Sequence, residues 1–439
     1  MRTFNRIMRS AMPLALLLLA ACGGNGSSAP AANTNTYTIG GTVSKLNGSM
    51  VLQDNNGDNL SVNANGAFTF ATPVASGGAY SVTVLTQPAG QFCSVVSGSG
   101  SVTANVTNVA IACASLMGGA MQGTALNLSA TSVVSTLAGS GSAGSLDGTG
   151  TAATFDAPLG TTTDGINLYV VDNCGTTSND IRKVVIATGV VTTLAGSTVA
   201  GFADGTGLAA TFSCPQDITT DGSALYVVDW GNNMIRKIAP ASGTLANMTS
   251  ANAVVTTLAG SVAGGAVDGT GTAASFNGPQ FITTDGSNLY VTDTLNYKIR
   301  RIAPASGTLA AMTSATAVVT SLTGTANTAT AMGAADGAAT AAQFLNPKGI
   351  TTDGANLYVA DWSNSKIRRI APVSGALSAM TSANATVSSI TGASGMASVA
   401  GAVNGPALGA TFNGPGGIVT DGSSLYVSDY GNNMIRKIQ

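Results

Sequence analysis

The sequence of 439 residues contains no histidine and no glutamate, and only 8% of its residues are charged. Without histidine, a Ser-His-Asp triad and a Cys-His nucleophile pair are excluded. The side chain most often used for general-base work, and a common zinc ligand, is missing as well. These absences favour a binding or scaffold protein, with a calcium-dependent hydrolase that uses Asp and Asn as the alternative.

Helix-forming charged residues are also scarce, because all 19 acidic residues are aspartate and Gly, Ser, Thr, Asn and Asp replace Glu and Lys. Few long helices are therefore expected, and the composition favours an all-β protein. If Arg2, Arg6 and Arg9 are removed with an N-terminal signal, the 17 basic residues fall to 14 against 19 acidic ones, a net charge of −5. This balance disfavours nucleic acid as a partner.

The N-terminus has the pattern of an export signal, with three arginines followed by an apolar run over 11–21. The run is shorter than the roughly 20 residues that a membrane span needs. Leu19-Ala20-Ala21-Cys22 resembles the lipobox of bacterial lipoproteins, which implies a signal peptide over 1–21 and a lipid on Cys22. Residues 22–36 are predicted to be a flexible tether, and Gly23 implies the outer membrane, on its periplasmic or cell-surface side. An ordinary signal peptide with an incidental Cys22 is the alternative.

Four further cysteines follow Cys22, and an even number in an exported chain indicates disulfides. The predicted pairs are Cys93 with Cys113 and Cys174 with Cys214. A metal site made of four thiolates is the alternative, although no Cys-x-x-Cys spacing supports it.

Residues 37–115 alternate between apolar and polar side chains in short runs separated by turn residues, which predicts a small antiparallel β-sandwich. Asn65-Gly66 is the clearest predicted hairpin turn. The pattern resembles the Ig-like or prealbumin-like modules of bacterial surface lipoproteins, which implies either a spacer or an adhesive module. Residues 116–132 are predicted to be a linker.

The rest of the chain, residues 133–439, is built from repeats. Five copies of a strand of the form LYVxD begin at Leu168, Leu225, Leu289, Leu357 and Leu425. Each copy follows a proline and an Asp-Gly turn, and each is followed by IRK or IRR. In the first four copies a strand such as VVTTLAG comes next. Four strands per unit are typical of one blade of a β-propeller.

These motifs resemble the NHL repeat, a β-propeller family, and the resemblance implies a five-bladed propeller over 133–439. VVSTLAG at 133–139 is like a fourth strand without its first three, which predicts that it completes the last blade in a one-plus-three closure. NHL-like propellers include lyases and lactonases, so an enzyme of that kind is an alternative function. The amidating lyases of that fold hold zinc through histidines, which this sequence lacks.

Each repeat contains an aspartate at the end of LYVxD and an arginine in IRK or IRR, which we expect to form a structural ion pair rather than a catalytic site. The pairs are Asp172 with Arg182, Asp229 with Arg236, Asp293 with Arg300, Asp361 with Arg368, and Asp429 with Arg436. A second set lies in the long connections and is expected to stabilise local turns, with calcium binding as the alternative. Its members are Asp147, Asp204, Asp268, Asp336 and Asn404. No other metal or cofactor is expected.

A ligand site on a repeated scaffold is expected where the repeats differ, at the ends of the strands on one face. The predicted binding residues at this rim are Gln216, Trp230, Gln280, Thr294, Lys348, Trp362 and Tyr430. Asn173, Leu159 and Gly416 occupy the corresponding positions in the remaining repeats. An aromatic and amide-rich rim suits a protein or a glycan partner, and a monomer is expected. The alternative is that the tryptophans only cover the seams between blades. The protein would then be a structural spacer in the cell envelope.

Overall fold

The computed structural model describes residues 35–55, 57–86, 88, 91–117, 120–122, 135–172, 178–392, 396–420 and 424–439. Over these ranges the regular structure consists of β-strands and short 3₁₀ helices. Several predictions therefore lie outside the described residues, namely the signal peptide, Cys22, Asn173, Cys174 and most of the tether and linker. Within the described part of the chain, no helix is long and apolar enough to cross a membrane.

The described residues of the N-terminal region, from 35 to 122, form eleven strands. They are β1 (Thr36–Tyr37), β2 (Ile39–Ser44), β3 (Met50–Asp54), β4 (Asp58–Val62), β5 (Gly66–Thr69), β6 (Val74–Ala75), β7 (Ala79–Thr86), β8 (Gln91–Val96), β9 (Ser99–Ser101), β10 (Val106–Met117) and β11 (Ala120–Gln122). One sheet has the order β4-β3-β7-β9, and another has β11-β10-β2-β5 with β8 beside β10. Leu52 of the first sheet and Ile39 and Ile111 of the second are buried in one apolar cluster, so the two sheets share a core.

Two details of this region differ from the sequence prediction. β10 pairs with β2 in parallel, so the region is not purely antiparallel. Asn65-Gly66 is not a hairpin turn, because β4 pairs with β3 whereas β5 pairs with β2 in the other sheet. Instead the Asn65 side chain accepts a hydrogen bond from the Leu46 N–H (2.7 Å) and donates one to the Leu46 carbonyl (3.1 Å). Asn65 thus stabilises the connection by which the chain passes from β4 in one sheet to β5 in the other.

The predicted disulfide between Cys93 and Cys113 is present. The two residues lie directly opposite each other on β8 and β10, with Cα atoms 3.8 Å apart, and both are buried in the shared core. The pair β10–β11 extends past the predicted domain boundary at residue 115. Cys214 is also disulfide-bonded; its pairing with Cys174 stays a prediction.

The repeats form five antiparallel sheets, here called repeat sheets 1 to 5. Sheet 1 contains β12 (Gly148–Thr149), β13 (Pro158–Thr163), β14 (Asn167–Asp172), β15 (Asp180–Val185) and β16 (Val190–Gly196). Sheet 2 contains β17 (Gly205–Thr206), β18 (Pro215–Thr220), β19 (Leu225–Asp229), β20 (Met234–Pro240) and β21 (Ala253–Gly260). Sheet 3 contains β22 (Gly269–Thr270), β23 (Pro279–Thr284), β24 (Leu289–Asp293), β25 (Lys298–Pro304) and β26 (Ala317–Ser321). Sheet 4 contains β27 (Gly337–Ala338), β28 (Pro347–Thr352), β29 (Leu357–Asp361), β30 (Lys366–Pro372) and β31 (Ala385–Ser389). Sheet 5 contains β32 (Pro415–Thr420), β33 (Leu425–Asp429) and β34 (Met434–Ile438).

Within each sheet the strand that begins at a proline is innermost, and the LYVxD strand is next to it. The innermost strands of successive sheets pack side by side, from β13 through β18, β23 and β28 to β32. This arrangement is consistent with a β-propeller. Apolar side chains of adjacent sheets share each core, as where Phe276 and Leu258 lie with Val228. The short outermost strand in sheets 1 to 4 follows the connection aspartate and was not predicted.

The predicted one-plus-three closure is not seen among the described residues. Sheet 5 has three strands, and residues 135–139 of the proposed closing segment contain no strand. The segment lies against sheet 1 instead, because the Gly139 N–H donates to the Gly150 carbonyl and Ala138 packs on the apolar cluster of that sheet. The innermost strands of the first and last sheets, β13 and β32, have exposed apolar side chains. Leu159 of β13 is 50% exposed, and Val419 of β32 is 47% exposed.

In the described part of the chain, ten 3₁₀ helices lie between the strands. They are η1 (Gly150–Ala152), η2 (Gly207–Ala209), η3 (Trp230–Asn232), η4 (Leu245–Asn247), η5 (Gly271–Ala273), η6 (Thr294–Asn296), η7 (Trp362–Asn364), η8 (Leu377–Ala379), η9 (Ala407–Gly409) and η10 (Tyr430–Asn432). Four of them, η3, η6, η7 and η10, start directly after an LYVxD strand and place the variable rim residue at its end.

Candidate functional site

The predicted Asp-Arg pairs all form inside the sheets. One guanidinium nitrogen, Nη1, lies 2.8–3.0 Å from the carboxylate Oδ2 in every repeat. In sheets 1 to 4 the aspartate and the arginine side chains are fully buried. The contact to this aspartate uses one guanidinium nitrogen rather than two, so it is not bidentate.

The second nitrogen, Nη2, instead reaches the connection residue, which in sheets 1 to 4 directly precedes the outermost strand. Arg368 shows the complete set: its Nη1 lies 2.8 Å from Asp361, and its Nη2 lies 2.6 Å from Asp336. The equivalent contacts are Arg182 with Asp147, Arg236 with Asp204, Arg300 with Asp268, and Arg436 with the side-chain amide oxygen of Asn404. In sheets 1 to 4 the connection aspartates therefore tie the outer edge of the sheet to its centre. The arginine contacts only the Oδ1 oxygen of each connection carboxylate.

A phenylalanine ring also packs on each of these arginines, whose guanidinium carbon lies 4.7–5.2 Å from the ring centroid. We call the arginine, its two side-chain partners and the phenylalanine the buried frame of a sheet. The rings belong to Phe155, Phe212, Phe276, Phe344 and Phe412. Burial raises the pKa of Asp361 to about 6, and the nearby Arg368 opposes this shift. The same frame recurs in all five sheets, with Asn404 in place of the aspartate in sheet 5, and this recurrence favours a structural role for the predicted pairs.

Three predicted rim residues come together at the junction of sheets 4 and 5. The Lys348 Nζ lies 3.4 Å from the centroid of the Trp362 ring. The Tyr430 ring lies 5.3 Å from that of Trp362, with 43° between the ring planes. Tyr430 is 71% exposed, so it offers a free aromatic surface, whereas Trp362 is half-buried. Burial lowers the pKa of the Lys348 ammonium.

A cleft of about 480 Å³ opens beside these aromatic rings. We call it the aromatic cleft; it is lined by Trp362, Ser363, Ser365, Ala400, Asn413, Gly414, Tyr430 and Gly431. Glycine suits position 414, because its φ of +60° is in the left-handed region and a Cβ there would lie 3.1 Å from the Trp362 ring. None of the lining residues is charged, and the polar groups are hydroxyls and one amide. The cleft can therefore offer hydrogen bonds and an aromatic surface, without a formal charge.

The other predicted rim residues do not join this cleft. Trp230 lies at the junction of sheets 2 and 3 and is 36% exposed, with its Nε1 3.4 Å from where a Cβ on Gly278 would be. Gln216 and Gln280 are half-buried on their inner strands. Thr294 is not available to a ligand, since it is only 2% exposed and its hydroxyl donates to the Pro347 carbonyl at 2.8 Å. The tryptophans thus cover seams, and Trp362 also lines a cleft.

An ionisable residue that sequence reasoning missed lies among the innermost strands. Asp217 is two residues after the strand-opening Pro215, and its carboxylate accepts a hydrogen bond from the Ile282 N–H of sheet 3 at 3.0 Å. Gly160 of sheet 1 leaves the space, since a Cβ there would lie 2.5 Å from the carboxylate. Burial raises the pKa of Asp217 to about 7. A comparison of the repeats could have revealed Asp217, because it is the ionisable residue at this position. The matching residues in the other repeats are Gly160, Phe281, Gly349 and Gly417.

Comparison with known proteins gives structural neighbours only. No protein-family model and no curated protein matches the chain. One solved neighbour is an auxiliary nutrient binding protein from Bacteroides ovatus, with 15% identity, 89% of this chain and 90% of that chain covered, and a TM-score of 0.38. A streptogramin B lyase has 15% identity, coverage of 64% and 82%, and a TM-score of 0.31. At this similarity the neighbours carry no information on the ligand of this chain.

Proposed function

We propose that this chain is a lipid-anchored, NHL-type propeller protein of the cell envelope that binds a glycan in the aromatic cleft. The observation that carries the proposal is the Trp362–Tyr430 pair, which opens onto a cleft whose lining has no charged residue. The volume of about 480 Å³ falls within the range of about 300–1,000 Å³ that is typical of small-ligand sites.

A glycan fits this chemistry better than a charged peptide. Sugar rings have apolar C–H faces that pack on aromatic side chains, and their hydroxyls need donors and acceptors at the edges. Tyr430 supplies the exposed ring, while Ser363 and Asn413 supply polar groups beside it. A charged peptide would find no ion-pair partner among the lining residues. A protein loop rich in polar uncharged residues is an outcome that the experiment below distinguishes.

We predict that a panel of envelope glycans contains at least one that changes the intrinsic tryptophan fluorescence of the protein in a saturable way. The chain contains two tryptophans, so the change reports directly on Trp362 or Trp230. Tyr430→Ala should weaken that binding about 10-fold or more, because a central aromatic contact is removed.

The exposure of Tyr430 makes this variant a fair test, because its removal should leave the fold intact. Leu208→Ser is the control, since Leu208 is 57% exposed on sheet 2 and does not line the cleft. If no glycan binds but a polar peptide does, the ligand class is wrong and the site is retained. If Tyr430→Ala binds as tightly as the unchanged protein, the site itself is wrong.

Anchoring rests on the N-terminal sequence, in which Leu19-Ala20-Ala21 precedes Cys22. A diacylated cysteine holds a protein stably at a membrane, because two acyl chains supply enough apolar area. Expressed in a bacterium that processes lipoproteins, the protein should partition into the detergent phase, and Cys22→Ser should move it to the aqueous phase. Equal partitioning of the two proteins would contradict lipid attachment at Cys22.

A further inference from the structure

The junction between sheets 2 and 3 and the junction between sheets 4 and 5 are built from matching residues. Trp230 and Trp362 follow their LYVxD strands at the same position, and Gly278 and Gly414 directly precede the first strand of the next sheet. A Cβ on these glycines would lie 3.4 and 3.1 Å from the respective tryptophan ring. Because the aromatic cleft opens at the junction of sheets 4 and 5, the residues that differ between the two junctions explain how it forms.

The first difference is a side-chain amide that binds the backbone of the glycine. The Asn233 Oδ1 accepts a hydrogen bond from the Gly278 N–H at 2.8 Å. The junction of sheets 1 and 2 has the same contact, since the Asn179 Oδ1 accepts from the Cys214 N–H at 2.8 Å. At the junction of sheets 3 and 4 the position of the asparagine is occupied by Tyr297. In two junctions, therefore, the group that the fold places against this N–H is an amide oxygen.

The junction of sheets 4 and 5 does not supply that amide. Ser365 occupies the position of Asn233, and its side chain carries a hydroxyl in place of the amide. No oxygen in the described part of the chain accepts from the Gly414 N–H. Ser365 and Gly414 both line the aromatic cleft, so this donor lies at its wall. Backbone N–H groups away from bulk water need an acceptor, and a ligand in the cleft can provide one.

The second difference is an apolar side chain next to the same glycine. Leu295 of sheet 3 packs against Gly278, with its Cδ1 2.8 Å from where a Cβ on that glycine would be. The matching residue of sheet 5 is Gly431, which lines the aromatic cleft and has no side chain. Asn233 and Leu295 thus place an amide oxygen and an apolar group against one glycine, and the aromatic cleft has neither at the matching positions.

We propose that the aromatic cleft binds the acetamido group of an N-acetylated sugar, an inference that rests on the proposed binding of a glycan there. The acetamido carbonyl accepts a hydrogen bond from the Gly414 N–H, as the Asn233 amide does from Gly278. The acetamido methyl group takes the place that Leu295 has at the junction of sheets 2 and 3. The group is neutral, in keeping with a lining that has no charged residue.

Calorimetric titration of the full protein with two trisaccharides of the same linkage tests this proposal. One is the β-1,4-linked trimer of N-acetylglucosamine, and the other is cellotriose, which has a hydroxyl in place of each acetamido group. We expect saturable binding of the acetylated trimer. Cellotriose should bind about 10-fold or more weakly than the acetylated trimer, because it lacks both the carbonyl acceptor and the methyl contact. Equal affinity for the two sugars would overturn the acetamido subsite.

Ser365→Asn provides a second test, because the protein itself then supplies the amide oxygen to the Gly414 N–H. Ser365 has a left-handed φ of 52°, which asparagine adopts readily, so the variant should keep the thermal midpoint of the unchanged protein. We expect it to bind the acetylated trimer about 10-fold or more weakly. Asn233→Ser is the matched control, since it makes the reverse change at a residue that does not line the cleft, and it should leave this affinity unchanged.

The outcomes separate the subsite from the proposed function. Unchanged affinity of a folded Ser365→Asn variant for the acetylated trimer would overturn the role of the Gly414 N–H. Failure of the acetylated trimer to bind would overturn the acetamido subsite as a whole. If cellotriose or another glycan binds and Tyr430→Ala weakens its binding, the glycan site stands and only the acetamido subsite is wrong.

Discussion

Arg368→Ala is expected to lower the free energy of unfolding by about 3–5 kcal/mol, the loss typical of breaking a buried ion pair from one side. The change leaves Asp361 buried with its charge uncompensated. It also removes the bonds that Arg368 donates to the Asp336 carboxylate and to the Ala335 and Gln343 carbonyls. The stacking of the guanidinium over Phe344 is lost too. Urea unfolding monitored by tryptophan fluorescence measures the effect.

The next residue along the same strand supplies a matched control. Arg369 is exposed, so Arg369→Ala should change the free energy of unfolding by less than about 0.5 kcal/mol. The two variants remove the same side chain one position apart, but only Arg368 is buried and bonded to the two aspartates. A loss for Arg368→Ala no larger than that for Arg369→Ala would show that the buried frame does not hold sheet 4 together.

Asp217→Asn is expected to make the protein more stable at pH 8 and to change it little near pH 4. Burial raises the pKa of Asp217 from 3.8 to about 7 in the folded protein. Between these values the folded state keeps a proton that the unfolded state releases, so stability falls as the pH rises. The contribution of this proton to the free energy of unfolding is fully present below pH 3.8 and is lost as the pH rises through about 7. Asp217→Asn should therefore not show this decrease in the free energy of unfolding, which is on the order of 3 kcal/mol.

Thermal unfolding measured from about pH 4 to pH 8 tests this prediction. Asp180, whose pKa burial also raises to about 7, contributes in the same direction, so the variant should show a smaller pH dependence rather than none. Asp58→Asn, in the N-terminal region, controls for the loss of one acidic residue. Parallel pH profiles for Asp217→Asn and the unchanged protein would contradict a buried, protonated Asp217.

The sequence predicted those contacts whose partners lie on neighbouring strands. The Asp-Arg pair was predictable because the two residues are seven apart in four repeats, on strands joined by a short turn. Cys93 and Cys113 were predictable because an exported chain tends to pair an even number of cysteines. In both cases one local rule and one pairing of strands are sufficient.

The contacts that were missed join residues far apart in the chain. Asp204 and Arg236 are separated by 32 residues, and only the folded sheet shows that one guanidinium bridges two carboxylates. Thr294 was assigned to the rim because it occupies the same position as Trp230 and Trp362. Its short side chain instead turns inward and donates a hydrogen bond to the backbone carbonyl of Pro347. Asn65-Gly66 has strong turn chemistry, yet local chemistry does not decide whether the next strand joins the same sheet.

Calorimetric titration of a glycan identified by fluorescence, performed with the unchanged protein and with Tyr430→Ala, tests the central claim most directly. That claim assigns stability to residues shared by all repeats and binding to the residues that differ. The account predicts that Tyr430→Ala loses about 10-fold or more in affinity while its thermal midpoint stays unchanged. Unchanged affinity in a folded Tyr430→Ala variant would contradict it.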